Sequence, residues 1–241
     1  KMIINSKKDD IYLEDNKLSE WTIYFTCNDM EFGKYPRTDN FRSDGILDYD
    51  YSARLSDYYM SGYDRGHLVP AKDMSFDPVA MSESFLMSNI SPQTPSFNRG
   101  INRSLESLVR CWRAQYDSLI IITGCLFKDT AHFQKTTIGS GIPIPEFYYK
   151  IIVDIERSSS IAFVMPNTEG VNNLESYVYS IDEVEKLTGI NFLYKLPVEY
   201  QNLIEKEVHL DDWSTSDCGT YFYIKPKKKK ISKMALVIGN S

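Results

Sequence analysis

The longest apolar stretches of this 241-residue chain are only strand-sized, as in residues 119–123 and 151–153. No stretch approaches the 18 consecutive apolar residues that a membrane-spanning helix requires. With 42% hydrophobic and 25% charged residues, the composition is that of a globular protein and is too balanced for a disordered chain. The length allows one or two domains with a sizeable core.

Local residue patterns predict a mixed α+β fold. Runs of strand-forming residues predict strands at 21–27, 119–124, 147–155, 161–166, 221–224 and 235–238. Helices are expected at 78–87, 98–116, 180–189 and 198–207. Asp77 before Pro78 is a typical helix start, and Ser180 with Glu183 has the spacing of a capping box. Residues 28–62 predict a long loop, and the two prolines within 91–96 predict irregular structure.

We therefore expect an α+β protein with a central, mostly antiparallel sheet flanked by helices. Residues 1–20 are polar and predict a loosely attached N-terminal arm. Residues 21–241 show no convincing linker and predict a single domain, in which a lysine-rich C-terminal extension begins at about residue 206.

Charge limits the classes of function. The net charge is −6, and the six lysines within residues 225–233 leave a net charge of −12 on the rest of the chain. This argues against a tight, non-catalytic nucleic-acid binder, but an enzyme with a small local positive site remains compatible with it. The lysine run is more typical of a solvated loop or hairpin, and steering of polyanions is the alternative.

The four cysteines form no CxxC metal pair. Cys111 and Cys125 lie in apolar surroundings and are interpreted as small buried hydrophobic residues. A disulfide that involves Cys218 is the alternative if the protein is exported.

One cluster of chemically active residue types is Asp64, Arg65, Gly66 and His67. An arginine can clamp a phosphate or carboxylate, and a histidine can accept a proton near neutral pH. Gly66 would let the backbone approach a ligand closely or adopt a positive φ. The alternative is an exposed turn with a chance Asp–Arg pair.

A second cluster repeats every four residues along the helix predicted for 98–116, and its members are Asn98, Asn102, Glu106 and Arg110. Because each step of four advances about 40° around a helix, these side chains share one stripe. The neighbouring stripe is apolar and comprises Ile101, Leu105, Leu108 and Trp112. Oxygen ligands of this kind suit a hard cation such as Mg²⁺. A plain solvated helix face is the alternative.

In combination, these motifs resemble the DNA/RNA non-specific endonucleases of the ββα-metal (His-Me finger) fold, which include the Serratia-type nucleases and endonuclease G. The similarity begins with the DRGH sequence of residues 64–67. It continues in the same order through residues 68–74, 88–93, 98–100, 105–106, 110, 123–124, 145–150 and 185–190. It covers roughly residues 20–205 and is specific because several separated motifs keep the family's order.

The resemblance implies a Mg²⁺-dependent endonuclease that hydrolyses phosphodiester bonds of DNA and RNA and leaves 5′-phosphate ends, with Mn²⁺ as an alternative ion. It implies that His67 is the general base, that Asn98 is the direct metal ligand and that Glu106 contacts the metal through a water. Arg65 and Arg110 are implied as phosphate clamps.

The remaining implied site residues are less closely assigned. Asn89 is expected in the site, and either Arg37 or Arg42 is expected to supply a further arginine that binds substrate. Asn102 stands where the family commonly has Trp, which predicts a local change in packing or metal hydration.

Other features have simpler interpretations. His132 and His209 have no partner at ligand spacing and are interpreted as structural or surface residues. The tyrosine-rich stretch 49–63 is interpreted as packing rather than as a platform for base stacking. The sequence leaves the oligomeric state open, a homodimer included. The polar start resembles a trimmed mature form, and a nuclease endangers its host cytoplasm, so we expect a secreted or periplasmic protein.

Two alternative functions stay open from the sequence. One is a catalytically inactive nucleic-acid or protein-interaction domain that retains the nuclease fold. The other is a hydrolase of a different phosphodiester, such as an extracellular nucleotide scavenger. Metal dependence separates the nuclease from the inactive domain, and substrate length separates it from the scavenger.

Overall fold

The computed structural model describes residues 2–4, 8–127, 136–170, 173–216 and 218. Its strands are Met2–Ile4 (β1), Lys8–Leu13 (β2), Leu18–Cys27 (β3), Asp64–His67 (β4), Ile90–Gln93 (β5), Ser118–Leu126 (β6), Thr137–Ile138 (β7), Ile142–Pro143 (β8), Phe147–Asp154 (β9), Ser159–Pro166 (β10) and Val178–Tyr179 (β11). Its α-helices are Pro78–Glu83 (α1), Pro95–Phe97 (α2), Arg103–Gln115 (α3), Ile181–Thr188 (α4) and Val198–Glu205 (α5). The strands predicted at 221–224 and 235–238, the lysine run and His132 lie outside the described residues.

A seven-stranded sheet in the order β1-β2-β3-β6-β9-β10-β11 forms the centre of the fold. Every pairing found within it is antiparallel. The expected α+β class with a mostly antiparallel central sheet is confirmed. The strands predicted at 21–27, 119–124, 147–155 and 161–166 are all present as members of this sheet.

Helices pack on both faces of the sheet against alternate residues of the central strands. On one face, Leu105 and Trp112 of α3 share a buried cluster with Ile121 and Ile152. On the other, α4 and α5 pack near Ile122 and Ile151 within a second cluster. Because successive strand residues point to opposite faces, these apolar pairs build two cores and separate α3 from the α4–α5 layer.

The N-terminal segment differs from the expected loose arm. Strand β2 pairs with β3, and Ile11 lies opposite Trp21 in the register. Tyr12 is fully buried, and its hydroxyl donates a hydrogen bond to the Tyr51 carbonyl at 3.0 Å. Burial of Tyr12 and pairing with β3 together tie residues 8–13 to the sheet.

Helix boundaries follow their capping residues. The Asp77 side chain accepts hydrogen bonds from the backbone N–H groups of Val79 and Ala80, as its position before Pro78 predicts, although α1 already ends at Glu83. The capping box of Ser180 and Glu183 is present at the start of α4. The helix expected at 98–116 begins instead with a π-helical segment, Asn98–Asn102, in which Gly100 departs from helical geometry.

The two prolines within residues 91–96 do not prevent strand formation. Strand β5 pairs with β4 in a separate two-stranded ribbon, and Pro92 lies opposite Arg65. In a ribbon each strand has an unpaired edge, and Pro is tolerated there because its missing N–H is not needed.

Cys111 and Cys218 form a disulfide with a Cα–Cα distance of 5.6 Å. The interpretation of Cys111 as a simple buried residue is therefore wrong, whereas Cys125 is buried as expected. Trp213 packs edge-on against Trp112 of α3, which holds the C-terminal segment near Cys111. Among the described residues, no helix has the length and apolar character needed to cross a membrane.

Candidate active site

The β4–β5 ribbon and the turn that follows it bring Asn98 of the second sequence cluster to Asp64 of the first. In this ribbon Asp64 lies opposite Gln93, and His67 lies opposite Ile90. The chain then turns through α2 into the π-helical segment that starts at Asn98. As a result Asn98 lies beside Asp64, although the two are 34 residues apart in sequence.

Gly66 is explained by its cross-strand neighbour rather than by a ligand. A Cβ atom at this position would lie 2.1 Å from the side-chain carbon Cδ of Gln93, so no larger residue fits without displacing Gln93. Gly66 is not among the glycines with positive φ. Gly66 is therefore required by close packing against Gln93. Neither of the two expected reasons, a close approach to a ligand or a positive φ, applies at this position.

Asp64 orients the Asn98 side chain. The Asn98 Nδ2 group donates a hydrogen bond to Asp64 Oδ2 at 2.9 Å. Arg99 donates to both oxygens of the same carboxylate, at 2.8 and 2.6 Å. Burial raises the pKa of Asp64, but the hydrogen bonds from Arg99 and Asn98 outweigh it and hold the pKa below its usual value. The ionised Asp64 thereby fixes which end of the Asn98 amide points away from it.

The amide oxygen of Asn98 is a suitable ligand for a hard cation. With Nδ2 occupied by Asp64, the Oδ1 atom is the remaining polar atom of the side chain, and the described residues provide no hydrogen-bond donor to it. Mg²⁺ prefers oxygen ligands and usually keeps several waters, so one protein oxygen at an open cleft fits it.

His67, three residues after Asp64 on β4, lies in an aromatic environment. Its ring centre is 5.6 Å from that of Phe41 and 5.0 Å from that of Phe85. The Nε2 atom is buried and has no hydrogen-bond partner among the described residues. Burial and the neighbouring Arg37 guanidinium lower the pKa of His67 to about 3, and a hydrogen bond to the Arg65 backbone acts in the opposite direction. The imidazole is therefore neutral near pH 7 and has a lone pair available.

Arg65 and Arg37 face an open cleft with a volume of about 590 Å³, and Asp64 and Asn98 line the same cleft. The guanidinium carbon of Arg65 lies 4.3 Å from the centre of the Phe41 ring. That of Arg37 lies 4.7 Å from the Phe85 ring, and Arg37 also pairs with exposed Asp39 at 2.7 Å. These aromatic contacts hold two positive groups beside His67 while leaving their N–H groups accessible.

Between the two arginines considered for substrate binding, the structure favours Arg37. Arg42 donates hydrogen bonds to the Asn40 carbonyl at 3.3 Å and to the Ser82 carbonyl at 2.8 Å. It is absent from the cleft lining, whereas Arg37 is part of it.

Glu106 and Arg110 belong to a neighbouring buried charge cluster. Arg110 donates to Asp73 at 3.0 Å, and the other Asp73 oxygen accepts a hydrogen bond from Tyr24 at 2.8 Å. Glu106 is 4.0 Å from Arg110. Burial raises the pKa of Glu106 to about 7, although buried Lys150 and Arg110 act in the opposite direction. Neither Glu106 nor Arg110 lines the cleft, so the structure does not bring the whole predicted stripe to one surface.

Asn89 uses its side chain on the backbone that follows His67. Its oxygen accepts from the Val69 N–H, and its amide nitrogen donates to the carbonyls of Val69 and Ser84, all at 2.9–3.0 Å. Asn89 is fully buried. These contacts position the segment after β4 and leave no polar atom of Asn89 directed at a substrate.

Asn102 is buried and donates a hydrogen bond to Glu106 at 3.2 Å. The position that carries Trp in much of the family thus holds a polar contact to the carboxylate here. This contact lowers the pKa of Glu106, against the effect of burial.

The tyrosine-rich stretch is only partly a packing element. Tyr58 is buried as expected, but Tyr59 is 80% exposed and Met60 is 86% exposed, and both line the cleft. The sequence interpretation missed Tyr59, and the signal that could have found it is its position between a turn and the DRGH motif. Phe41 and Phe85, which enclose His67, were also missed, because their proximity depends on long-range folding.

Comparison with known proteins identifies the group to which this arrangement is similar. Residues 14–199 match the sequence model of the DNA/RNA non-specific endonuclease family. The chain is 32% identical over 190 residues to the mitochondrial nuclease of Saccharomyces cerevisiae, which covers 70% of this chain and 57% of that protein. It is 31% identical over 210 residues to a nuclease of Nostoc sp., which covers 82% of this chain and 74% of that protein. The chain thus spans little more than half the length of the yeast relative.

A chain in the crystal structure of the EndoG/EndoGI complex has a similar fold. The TM-score is 0.76 at 24% sequence identity, over 83% of this chain and 88% of that chain. This similarity confirms the expected ββα-metal fold.

The expected secreted or periplasmic location is wrong on these comparisons. Several matched relatives, the Saccharomyces cerevisiae protein among them, are named as mitochondrial nucleases. The expectation rested on the hazard of a nuclease in the cytoplasm, but enclosure in an organelle would also keep a nuclease out of the cytoplasm.

Proposed function

Since the chain belongs to the DNA/RNA non-specific endonuclease family, we propose that it is an endonuclease that hydrolyses phosphodiester bonds of both DNA and RNA. One observation carries this proposal. Arg65 and Asn98 line one open cleft, and the unpartnered His67 imidazole packs on Phe41 of the same cleft wall. A base, a cation ligand and a phosphate-binding group are the parts that this reaction requires.

Asn98 is the group that would hold Mg²⁺, through the Oδ1 atom that Asp64 leaves available. When bound, the cation supplies positive charge that offsets the charge developing on the phosphate and on the departing 3′ oxygen. Mn²⁺ is the alternative ion. Asp73 and Glu106 lie beside Arg110, which balances their charge.

His67 acts as the general base. The imidazole is neutral at physiological pH, and its Nε2 atom, which has no hydrogen-bond partner among the described residues, is the atom that would accept the proton of an attacking water. Attack by water with departure of the 3′ oxygen leaves 5′-phosphate ends.

Arg65 and Arg37 bind the phosphate that reacts. Both guanidinium groups are held by aromatic rings and face the cleft, so they can donate to phosphate oxygens without a large rearrangement. Because these arginines contact the phosphate and not the base, we expect the enzyme to have a weak sequence preference.

Glu106 and Arg110 act on the site from the buried side. Glu106 lies on α3, two turns beyond Asn98, and its carboxylate is held by Asn102. We assign Glu106 the role of ordering water around the cation. Arg110 balances the charges of Asp73 and Glu106, and its ion pair with Asp73 leaves fewer donors for a phosphate than the resemblance implies.

Tyr59 offers an uncharged contact for the substrate. It is exposed at the cleft that also holds Arg65 and Asn98. An aromatic ring beside a phosphate-binding group can stack on a base of any sequence. We therefore extend the substrate-binding surface to Tyr59.

The test is nicking of supercoiled plasmid and degradation of RNA by the purified protein in Mg²⁺, in EDTA and with His67→Ala. The matched control is His209→Ala, which removes a histidine outside the cleft. The proposal predicts cleavage of both substrates that requires Mg²⁺ and His67 but not His209. Absence of cleavage by folded wild-type protein, in Mg²⁺ or Mn²⁺, would instead support a non-catalytic domain that retains the fold.

A further inference from the structure

A second group of carboxylates lies between α4 and α5, on the opposite face of the sheet from α3. Asp182 and Glu185 are on α4, and Glu205 is the last residue of α5. Each contributes a carboxylate oxygen, and these oxygens lie within 4.8 Å of one another. None of these residues lines the cleft of Asn98, so this group is separate from the candidate active site.

Glu205 is the unusual member of this group. The residue is only 4% exposed, and its Oε1 atom is buried without a hydrogen-bond partner among the described residues. Buried polar atoms in folded proteins are almost always satisfied, and an unsatisfied carboxylate oxygen is costly. An oxygen of this kind, placed next to two further carboxylates, indicates a missing positive partner.

In the part of the chain that the structure describes, no basic side chain supplies that partner. The ion pairs found among the described residues involve none of the three carboxylates. Lys186 is near enough to act on the pKa of Glu185, yet it forms no ion pair with it. Burial is the main cause that raises the pKa of Glu205 to about 7, and the neighbouring Glu185 and Asp182 add to it.

The surrounding backbone holds the carboxylates in place. Glu185 accepts a hydrogen bond from the Phe192 N–H at 2.9 Å, which fixes one of its oxygens. The Ser160 hydroxyl on β10 donates to the Ile204 carbonyl at 2.6 Å and anchors the end of α5 to the sheet. The three side chains therefore converge from two anchored helices.

We propose that Asp182, Glu185 and Glu205 bind a Ca²⁺ ion that fastens α4 to α5. Three anionic oxygen ligands suit Ca²⁺, which accepts six to eight oxygens in flexible geometry. Mg²⁺ is typically held by only one or two carboxylates and demands a stricter octahedron. The site stabilises the helical layer on the face away from the cleft, and it does not depend on the nuclease activity.

Thermal unfolding of chelator-treated protein at pH 8, with and without added CaCl₂, tests the proposal. The background is Asn98→Ala, which removes the proposed active-site ligand and isolates the second site. We expect Ca²⁺ to raise Tm by several degrees at a hundredfold excess over its Kd. Calorimetric titration should give one Ca²⁺ per chain. Mg²⁺ at the same concentration should raise Tm by less.

Variants then assign the effect to these carboxylates. Glu205→Gln keeps the shape of the side chain and should abolish the Ca²⁺-dependent rise in Tm. Asp182→Asn, at a more exposed position, should also abolish this rise, and it tests the site even if Glu205→Gln folds poorly. Glu199→Gln, an exposed glutamate on α5, is the matched control and should keep the full rise. No rise in the Asn98→Ala background, an equal rise with Mg²⁺, or an undiminished rise in Asp182→Asn overturns the proposal.

Discussion

The Asn98 side chain donates a hydrogen bond to Asp64 at 2.9 Å. This bond joins the start of the π-helical segment to the first residue of β4. This contact makes the orientation of one amide depend on a residue 34 positions earlier in the chain. Because Arg99 neutralises the same carboxylate, Asp64 can stay ionised at the edge of a site meant for phosphate.

Asp64→Asn should lower the affinity for Mg²⁺ more than it lowers the affinity for substrate. Loss of the charged acceptor frees the Asn98 amide to rotate, and residues that orient a metal ligand contribute about 10–100-fold in metal affinity. The measurement is the Mg²⁺ concentration for half-maximal plasmid nicking. The control is Arg99→Gln, which removes the exposed ion pair but leaves the Asn98–Asp64 hydrogen bond. An unchanged Mg²⁺ requirement in Asp64→Asn would contradict the orienting role.

Tyr59→Ala should raise KM for long single-stranded substrates with little change in kcat. Stacking of a base on an aromatic ring contributes about 1–3 kcal/mol, which corresponds to roughly 5–150-fold in KM. Tyr194→Ala serves as the control, because Tyr194 is also exposed but lies outside the cleft. If the two variants have the same KM as wild type, Tyr59 does not contact the substrate.

Replacing Arg110 should separate structural from catalytic effects. Arg110→Met leaves Asp73 buried without its charged partner, which should lower the free energy of unfolding by about 3–5 kcal/mol. The double variant Arg110→Met with Asp73→Asn should regain most of that stability, as measured by urea unfolding. If Arg110 also acts on the reaction, kcat of the double variant stays low; recovery of kcat along with stability would assign Arg110 a purely structural role.

His67 should make the protein less stable in acid. Its folded pKa of about 3 lies below the unfolded value of about 6.5, so between these values the unfolded chain binds a proton that the folded protein does not. Stability therefore falls as pH decreases from 6.5, by up to about 1.4 kcal/mol per pH unit. Urea unfolding from pH 7 to 4 should show a shallower decrease for His67→Gln, and parallel curves for the two proteins would show that the histidine is not buried in neutral form.

Local sequence signals predicted the elements that carry a clear local residue pattern. The β-branched and aromatic runs of β3 and β6 read correctly because each strand fills a buried layer of the sheet. The Asp77 cap and the capping box at Ser180 were also correct, since a cap is satisfied within four residues. The single-domain organisation of residues 21–241 stays a prediction.

Elements that depend on distant partners were missed. Gly66 and Pro92 both disfavour strands, so the β4–β5 ribbon is visible only once its pairing is known. A disulfide that involves Cys218 was an alternative from the sequence, but its partner Cys111 lies 107 positions away, and no local pattern reveals that pairing. The N-terminal strand β2 likewise depends on the long-range burial of Tyr12.

The candidate site was predictable in its residue types but not in its grouping. Spacing placed Asn98 and Glu106 on one helix, and the family resemblance placed His67 and Arg65 beside them. Helical spacing could not show that the chain departs from helical geometry at Gly100. Nor could it show that Asp73, 37 residues before Arg110, would draw that arginine into an ion pair.

The most direct test of the central claim is chemical rescue of His67→Ala with free imidazole. Truncation of His67 leaves a space beside Phe41 and Phe85 that an imidazole molecule matches in shape. If His67 is the general base, plasmid nicking in Mg²⁺ should be lost in His67→Ala and partly restored by imidazole in a concentration-dependent way. Nicking by His67→Ala at the wild-type rate without imidazole would contradict the proposed mechanism.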